Sequence, residues 1–328
     1  MRIRKIPKGG GRFRTIYVPN LKEKERLRKL LPLLHEIHQK AVDAAGTRGI
    51  AHAFVPHRNP VTCALPHRGF QVTISCDLEN WFDTVTDQHL LMAGMPPEIV
   101  DAITIPDEQG VRRCRQGLPT SPVAANIAAV AMDNELFHVM KWLADSWKID
   151  FAYTRYADDI TVSASHRGGF WTDGVPIHPA LTDMILARIY TAAGNAGWTI
   201  AEHKTHIQHA KAGRRIIVGI AVDDRVHATR KTRRKLRAAQ HQGATKTLAN
   251  GNRTTNLTAL KSAAGIAEWA ACKLPRRVRS TRQMMGVLAG SGSVASPTEQ
   301  TQTVAISGSG RRVLVPVRDK IADDSANR

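Results

Sequence analysis

Asp158 and Asp159 stand side by side between two runs that alternate as strands, residues 151–156 and 160–165. The turn joining those runs therefore presents at least one carboxylate at its tip. Tyr156-Ala157 precedes the pair, and Val, Ile, Phe and Thr flank it on both sides. A carboxylate pair withdrawn from water needs a cation, and oxygen-only ligands favour magnesium. Such a site calls for a third carboxylate. Asp77 supplies it at the end of the apolar strand Val72-Thr73-Ile74-Ser75-Cys76. Two ions about 4 Å apart on such carboxylates can activate a 3′-hydroxyl and stabilise a leaving pyrophosphate in an in-line displacement. Each feature also has a bland reading, since Asp-Asp pairs are common in solvated turns and Asp77 in its place suits a turn cap.

A further block, Arg115-Gln116-Gly117-Leu118-Pro119-Thr120-Ser121-Pro122, reads as a rigid turn feeding a helix. Its glycine permits close backbone approach, and Gln116 offers an amide to a sugar or base. Taken alone, it is equally a Pro-bounded loop ahead of a helix.

Elements are needed to hold these groups. Lys8-Gly9-Gly10-Gly11-Arg12 reads as a basic turn before a strand over residues 13–18, and a helix is expected over about 21–45. A buried strand over 70–76 ends at Asp77. One long packed helix is expected over 122–143 and another over 179–197, followed by strands at 198–201 and 215–222. Arg225, Arg230, Lys231, Arg233, Arg234, Lys235 and Arg237 then crowd a short stretch, and two or more helices are expected to reach about residue 288. Beyond 290, Gly, Ser and Thr dominate, and only residues 311–317 read as strand. This end is expected to be a flexible tail.

The chain of 328 residues carries 47 Lys and Arg against 28 Asp and Glu, a formal charge of +19. A surplus of that size points to a polyanionic partner, with nucleic acid ahead of a membrane surface or a merely basic exterior. No apolar run approaches a membrane span, and no apolar stretch follows the basic Met1-Arg2-Ile3-Arg4-Lys5, so neither a transmembrane helix nor a signal peptide is expected. Cys63, Cys76, Cys114 and Cys272 are scattered, as reduced thiols of a cytoplasmic protein would be. His203, His206 and His209 recur every third residue without acidic or cysteine company, so no metal is expected on them.

The order Asp77, Gln116-Gly117, Tyr156-Ala157-Asp158-Asp159 and Lys204 in a Gly-Trp-x5-Lys-Thr setting resembles the reverse transcriptases, and among them the bacterial retron and group II intron-like branch. The likeness runs from Arg4 to about Leu288. Phe13-Arg14-Thr15-Ile16-Tyr17-Val18-Pro19 is similar to the first block of retron enzymes. Ala64-Leu65-Pro66-His67 lies where they carry Asn-Ala-x-x-His, with Cys63 in place of the Asn. Ile217-Val218-Gly219 stands for their Val-Thr-Gly.

The resemblance implies an α+β right-hand polymerase fold. Fingers would span 1–69, and a palm with an antiparallel sheet 70–224, carrying an inserted fingers segment near 86–115. A helical thumb would span 225–289 and a tail 290–328. It implies that Asp77, Asp158 and Asp159, with the Leu78 carbonyl, hold two Mg2+ ions. Phe82 would lie under the sugar and reject a 2′-hydroxyl, although an aromatic beside Trp81 is also at home in a core. Lys8, Arg12 and Arg14 would touch the triphosphate, Gln116 and Tyr156 would line the substrate, and Lys204 would stand near the leaving pyrophosphate. Arg230, Arg233, Arg234 and Arg237 would follow the template–primer backbone, while Arg276, Arg277, Arg279 and Arg282 would grip structured RNA. The implied activity is RNA-directed DNA synthesis from dNTPs, copying a structured non-coding RNA template into a DNA product, in anti-phage defence with an effector protein. Competing readings are a defence polymerase making untemplated or protein-primed DNA, and an intron-maturase-like RNA-binding protein.

Overall fold

The computed structural model describes residues 1–167 and 176–244, together with residues 246, 247, 253, 254, 264, 267 and 271. All of them fall within the unit Met1–Ser291. Expectations for the segment beyond residue 271, including Cys272, Arg276, Arg277, Arg279, Arg282 and the tail, lie outside the described residues.

The chain opens with an antiparallel hairpin, β1 (Arg2–Gly9) and β2 (Arg12–Val18), turning at Gly10-Gly11 with both φ values positive. Only β2 was expected. Asn20 then starts α1 (Leu21–Ala44) with a reciprocal capping box: its side chain accepts from Glu23 N, and Glu23 accepts from Asn20 N, both at 2.9 Å. Leu27, Leu34, His38 and Val42 form its buried stripe. The short helix α2 (Pro60–Ala64) precedes β3 (Val72–Asp77). Three short helices follow, α3 (Trp81–Thr84), α4 (Asp87–Met92) and α5 (Pro97–Ile103), and then the small ladder β4 (Ile105–Pro106) with β5 (Arg112–Arg113). The helix expected over 122–143 is two helices, α6 (Ser121–Ala128) and α7 (Val130–Trp147). They part at Ala129, where φ −80° and ψ −8° interrupt the regular ladder.

β6 (Ile149–Tyr156) and β7 (Asp159–His166) form a hairpin that pairs with β3. α8 (Pro179–Asn195) leads back to β8 (His206–His209), completing an antiparallel sheet of order β6-β7-β3-β8. The strand expected at 198–201 is instead a single bridge between Leu78 and Ile200. The strand expected at 215–222 is two, β9 (Arg215–Ile217) and β10 (Ile220–Val222). Val218 and Gly219 reverse the chain between them at φ 47° and 77°, as a two-residue hairpin turn requires. β11 (Val226–Ala228) follows, and then α9 (Arg230–Ala244).

Side-chain alternation gives the sheet two unlike faces. Val72, Ile74, Cys76, Ile160, Val162 and Ala164 join the main apolar core with α6, α7 and α8. On the other face, Thr73, Ser163, Thr154 and His67 form a buried polar layer, with His67 bridging Ser163 and Thr154 at 2.8 Å each. Beside it lies a small apolar cluster that includes Val61, Cys63, Ile217 and Ile220. Asp77 and Asp159 fall in the polar rows, two residues beyond Ser75 and before Thr161 respectively.

Candidate active site

The pairing of β3 with β7 sets Asp77 directly opposite Asp159, and the β6–β7 ladder closes at Tyr156 and Asp159. Ala157 and Asp158 therefore form a two-residue turn. Ala157 adopts φ 58°, a left-handed conformation uncommon for a residue with a Cβ. Leu78 N donates to Asp158 O at 3.0 Å, which ties the turn to the end of β3. Ala201 N donates to Asp77 O at 2.8 Å, and the single helical turn of residues 202–204 then carries Lys204 to Asp77, Nζ to Oδ1 at 2.5 Å.

Electrostatically the three carboxylates resist sharing this corner. Burial, and then the charges of Asp158 and Asp77, push the Asp159 carboxyl up to about 7. Burial raises Asp158 as well, with Asp77 adding to it and Lys204 and Arg14 opposing. A hard cation would relieve that repulsion, and the donor set, all oxygen, suits magnesium. The three are not drawn together as tightly as Asp223, Asp224 and His227, the group of three whose ligand atoms all lie within 4.8 Å of one another among the described residues. That second group is already engaged: Asp223 pairs with Arg214 at 3.0 Å and with His227 at 2.9 Å.

A cavity of about 620 Å³ opens beside the turn, lined by Asp77, Leu78, Asp158 and Lys204 on one wall and by Arg14, Phe82 and Gln116 around the rest. Seven of the residues singled out from the sequence thus share one space. Asp159 and Tyr156 are not among its lining residues. Tyr156 is half-buried and packs against both apolar clusters. Lys8 and Arg12 lie on the β1–β2 hairpin, but their side chains are outside the described residues. Arg230, Arg233, Arg234 and Arg237 are exposed on α9, whose Thr232, Leu236 and Ala239 are partly covered.

Gly117 owes its glycine to the protein itself. At φ 103°, a Cβ there would lie 2.3 Å from Tyr17 O and 2.8 Å from Ile16 Cγ2. Tyr17 N donates to Gln116 O at 2.7 Å, so the Gln-Gly turn is docked edge-on against β2. That packing also sets Gln116 beside Arg14 in the cavity wall.

Sequence reasoning missed Phe54 and Asn80, which also line the cavity, and weighed His203, a third such residue, only as a metal ligand. It missed the support beneath the turn as well. Arg155 is fully buried, and its guanidinium donates to both Asp133 oxygens, to Asn126 Oδ1 and to Ala157 O. Phe54 and Asn126 sit in no periodic pattern. Arg155, a charge in the middle of an otherwise coverable strand, was the one signal available.

The family model for reverse transcriptase (RNA-dependent DNA polymerase) matches residues 6–237, and the chain belongs to that family. Among curated relatives, the Retron Mx65 reverse transcriptase of Myxococcus xanthus is 28% identical over 260 residues, covering 73% of this chain and 55% of the relative. The Retron Ec86 reverse transcriptase of Escherichia coli is 24% identical over 242 residues, covering 70% of this chain and 65% of the relative. The chain spans about half the length of the Myxococcus relatives. Among solved structures, a telomerase from Candida albicans matches with a TM-score of 0.47 at 14% identity, covering 88% of this chain and 54% of that one. No helix among the described residues is long and apolar enough to cross a membrane.

Proposed function

We propose that the chain is an RNA-directed DNA polymerase whose active centre is the cavity beside the Ala157–Asp158 turn. The observation that carries this reading is the convergence of Asp77, Asp158, Lys204, Arg14, Gln116 and Phe82 on that one cavity. Asp77, Asp158 and Asp159, with the Leu78 carbonyl, would hold two Mg2+ ions. When bound, the ions would supply activation of the primer 3′-hydroxyl and charge neutralisation at the pyrophosphate. The protein's own groups do the rest. Arg14 binds triphosphate oxygens from the cavity's open side, with Lys8 and Arg12 on the same hairpin. Gln116 would hold the nucleotide's place, with Tyr156, outside the lining, backing the turn from the apolar clusters, and Phe82 would bar a 2′-hydroxyl. Lys204 pairs with Asp77 and would stand near the leaving pyrophosphate as a proton donor.

In the right-hand polymerase plan, residues 1–69 are fingers, 70–224 the palm with a fingers insertion near 86–115, and 225–289 a thumb. The exposed cationic face of α9, with Arg230, Arg233, Arg234 and Arg237, would follow the template–primer backbone. The template we propose is a structured non-coding RNA, and the role is anti-phage defence with an effector protein, in the cytoplasm.

Asp158→Ala is the direct test. It should abolish magnesium-dependent dNTP incorporation on a primed RNA template while RNA binding persists in a gel-shift assay. Undiminished synthesis by that variant would discard the assignment.

A further inference from the structure

Three backbone positions on the cavity wall are left-handed without being glycine: Asn80 at φ 46°, and Ala157 and Phe54, both at φ 58°. Such conformations cost about 1 kcal/mol or more and persist only where surrounding structure enforces them. One buried node reaches the carbonyls of Ala157 and of Ala53, the residue before Phe54. Arg155 Nη1 donates to Ala157 O at 3.0 Å and to Asn126 Oδ1 at 3.0 Å, and Asn126 Nδ2 in turn donates to Ala53 O at 2.8 Å. The rest of the guanidinium is clamped by Asp133, at 2.8 Å to Oδ2 and 2.9 Å to Oδ1. Tyr153 holds the same Asp133 oxygen with a 2.6 Å hydrogen bond. The main chain repeats the connection, with Arg155 N donating to Ile50 O and His52 N to Arg155 O, both at 2.8 Å. The guanidinium also lies 5.2 Å from the Trp81 ring, against which Phe82 packs at 5.4 Å.

A buried ion pair that served stability alone would need its fork aimed only at Asp133, and apolar side chains of similar size often replace such pairs without loss. Here the donors are divided between the anchor and the walls of the cavity. We infer that Arg155 is a positioning residue, whose guanidinium, anchored by Asp133 and Asn126, fixes the Ala157–Asp158 turn and the Ala53–Phe54 segment relative to each other across the cavity. Asp158 and the Phe54–Phe82 aromatic pair are thereby kept at one spacing. The catalytic part of this inference rests on the polymerase reading; the structural part does not.

The test uses the full chain in two variants. Asn126→Ala removes one amide and leaves the Arg155–Asp133 pair. Arg155→Lys keeps a buried positive charge but loses the fork. Hydrogen–deuterium exchange is read at peptides spanning 50–55 and 156–159, with 72–76 as the control. Both variants should speed exchange in the first two peptides together by about tenfold, as expected for loss of one hydrogen bond to a charged donor, with the control unchanged. Exchange unaltered at either wall, or accelerated equally in all three peptides, overturns the inference. Should Arg155→Lys fail to fold, Asn126→Ala decides by itself. In single-nucleotide incorporation, kcat should fall about tenfold while KM for the dNTP stays within about twofold. An unchanged kcat in a variant whose walls have loosened overturns the positioning role. A wild-type protein that incorporates nothing sinks the polymerase reading, and the exchange result still decides the role of Arg155.

Discussion

Phe82 is held from two sides, tilted against Trp81 at 5.4 Å between ring centroids and edge-on to Phe54 at 6.2 Å, with its free face on the cavity. Trp81 is 2% exposed, so the pair is part wall and part core. A ring pinned this way has few rotamers open to it and can exclude a substituent by shape alone. Phe82→Ala should therefore admit ribonucleotides, raising the ratio of kcat/KM for rNTP over dNTP by about tenfold or more, a discrimination of the size one steric contact supplies. The truncation should also lower stability by about 1–3 kcal/mol, less than for a wholly buried Phe. Steady-state incorporation with each nucleotide and a urea titration read the two effects separately. If only stability moves, Phe82 is core and sugar selection lies elsewhere.

At the scale of elements, the junction between the Gln-Gly turn and β2 positions half the cavity wall. Gly117→Ala places a Cβ against Tyr17 O in a backbone conformation L residues rarely adopt, so β2 or the turn must move. The expected cost is about 2–4 kcal/mol, combining strain with lost docking. Gly213→Ala is the control, because φ there is 132° but nothing lies within 4 Å of an added Cβ. Urea unfolding should show the larger loss for Gly117→Ala, and equal losses would mean that docking on β2 contributes nothing. Glycine at 117 was visible in the sequence; what it approaches was not, because Tyr17 is distant in the chain. The same limit explains the rest. Strands β3, β6 and β7 and helices α1 and α8 were legible because a buried row repeats at a period of two or a stripe at 3.6. β8 was not, since three of its four residues are exposed and its pairing with β3 comes from register alone. The split of β9 from β10 turns on Val218 at positive φ, which no β-branched residue advertises. In the site, carboxylates, Gln116 and Lys204 announced their chemistry by type. Phe54, Asn126 and Arg155 act through contacts that only the folded chain creates.

Across the whole molecule, three buried histidines and the acidic corner of the site set how stability responds to acid. Burial pulls His67 down to about 3 and His38 to about 4, and holds His52 well below the usual imidazole value. All three sit neutral in the fold. The unfolded chain takes up their protons near pH 6.5 and the native protein does not, so stability falls as pH drops below that value. Each histidine contributes up to about 1.4 kcal/mol per pH unit. Asp159 acts with the opposite sign. Its native carboxyl, at about 7 beside Asp158, Asp77 and Lys204, binds a proton well above the unfolded value, so the fold gains stability as pH falls through 7. Asp158, raised in the same direction, adds to that gain at lower pH. Urea unfolding in EDTA from pH 7.5 to 5 should then show a net loss, since three histidines outweigh the carboxylate contribution. Asp159→Asn should begin more stable than wild type at pH 7.5, having no repelled charge to hold, and should fall more steeply, so that the gap between the two curves narrows by more than half by pH 5. Parallel curves would mean that Asp159 is already ionised throughout, and that the acidic corner meets less repulsion than its burial implies.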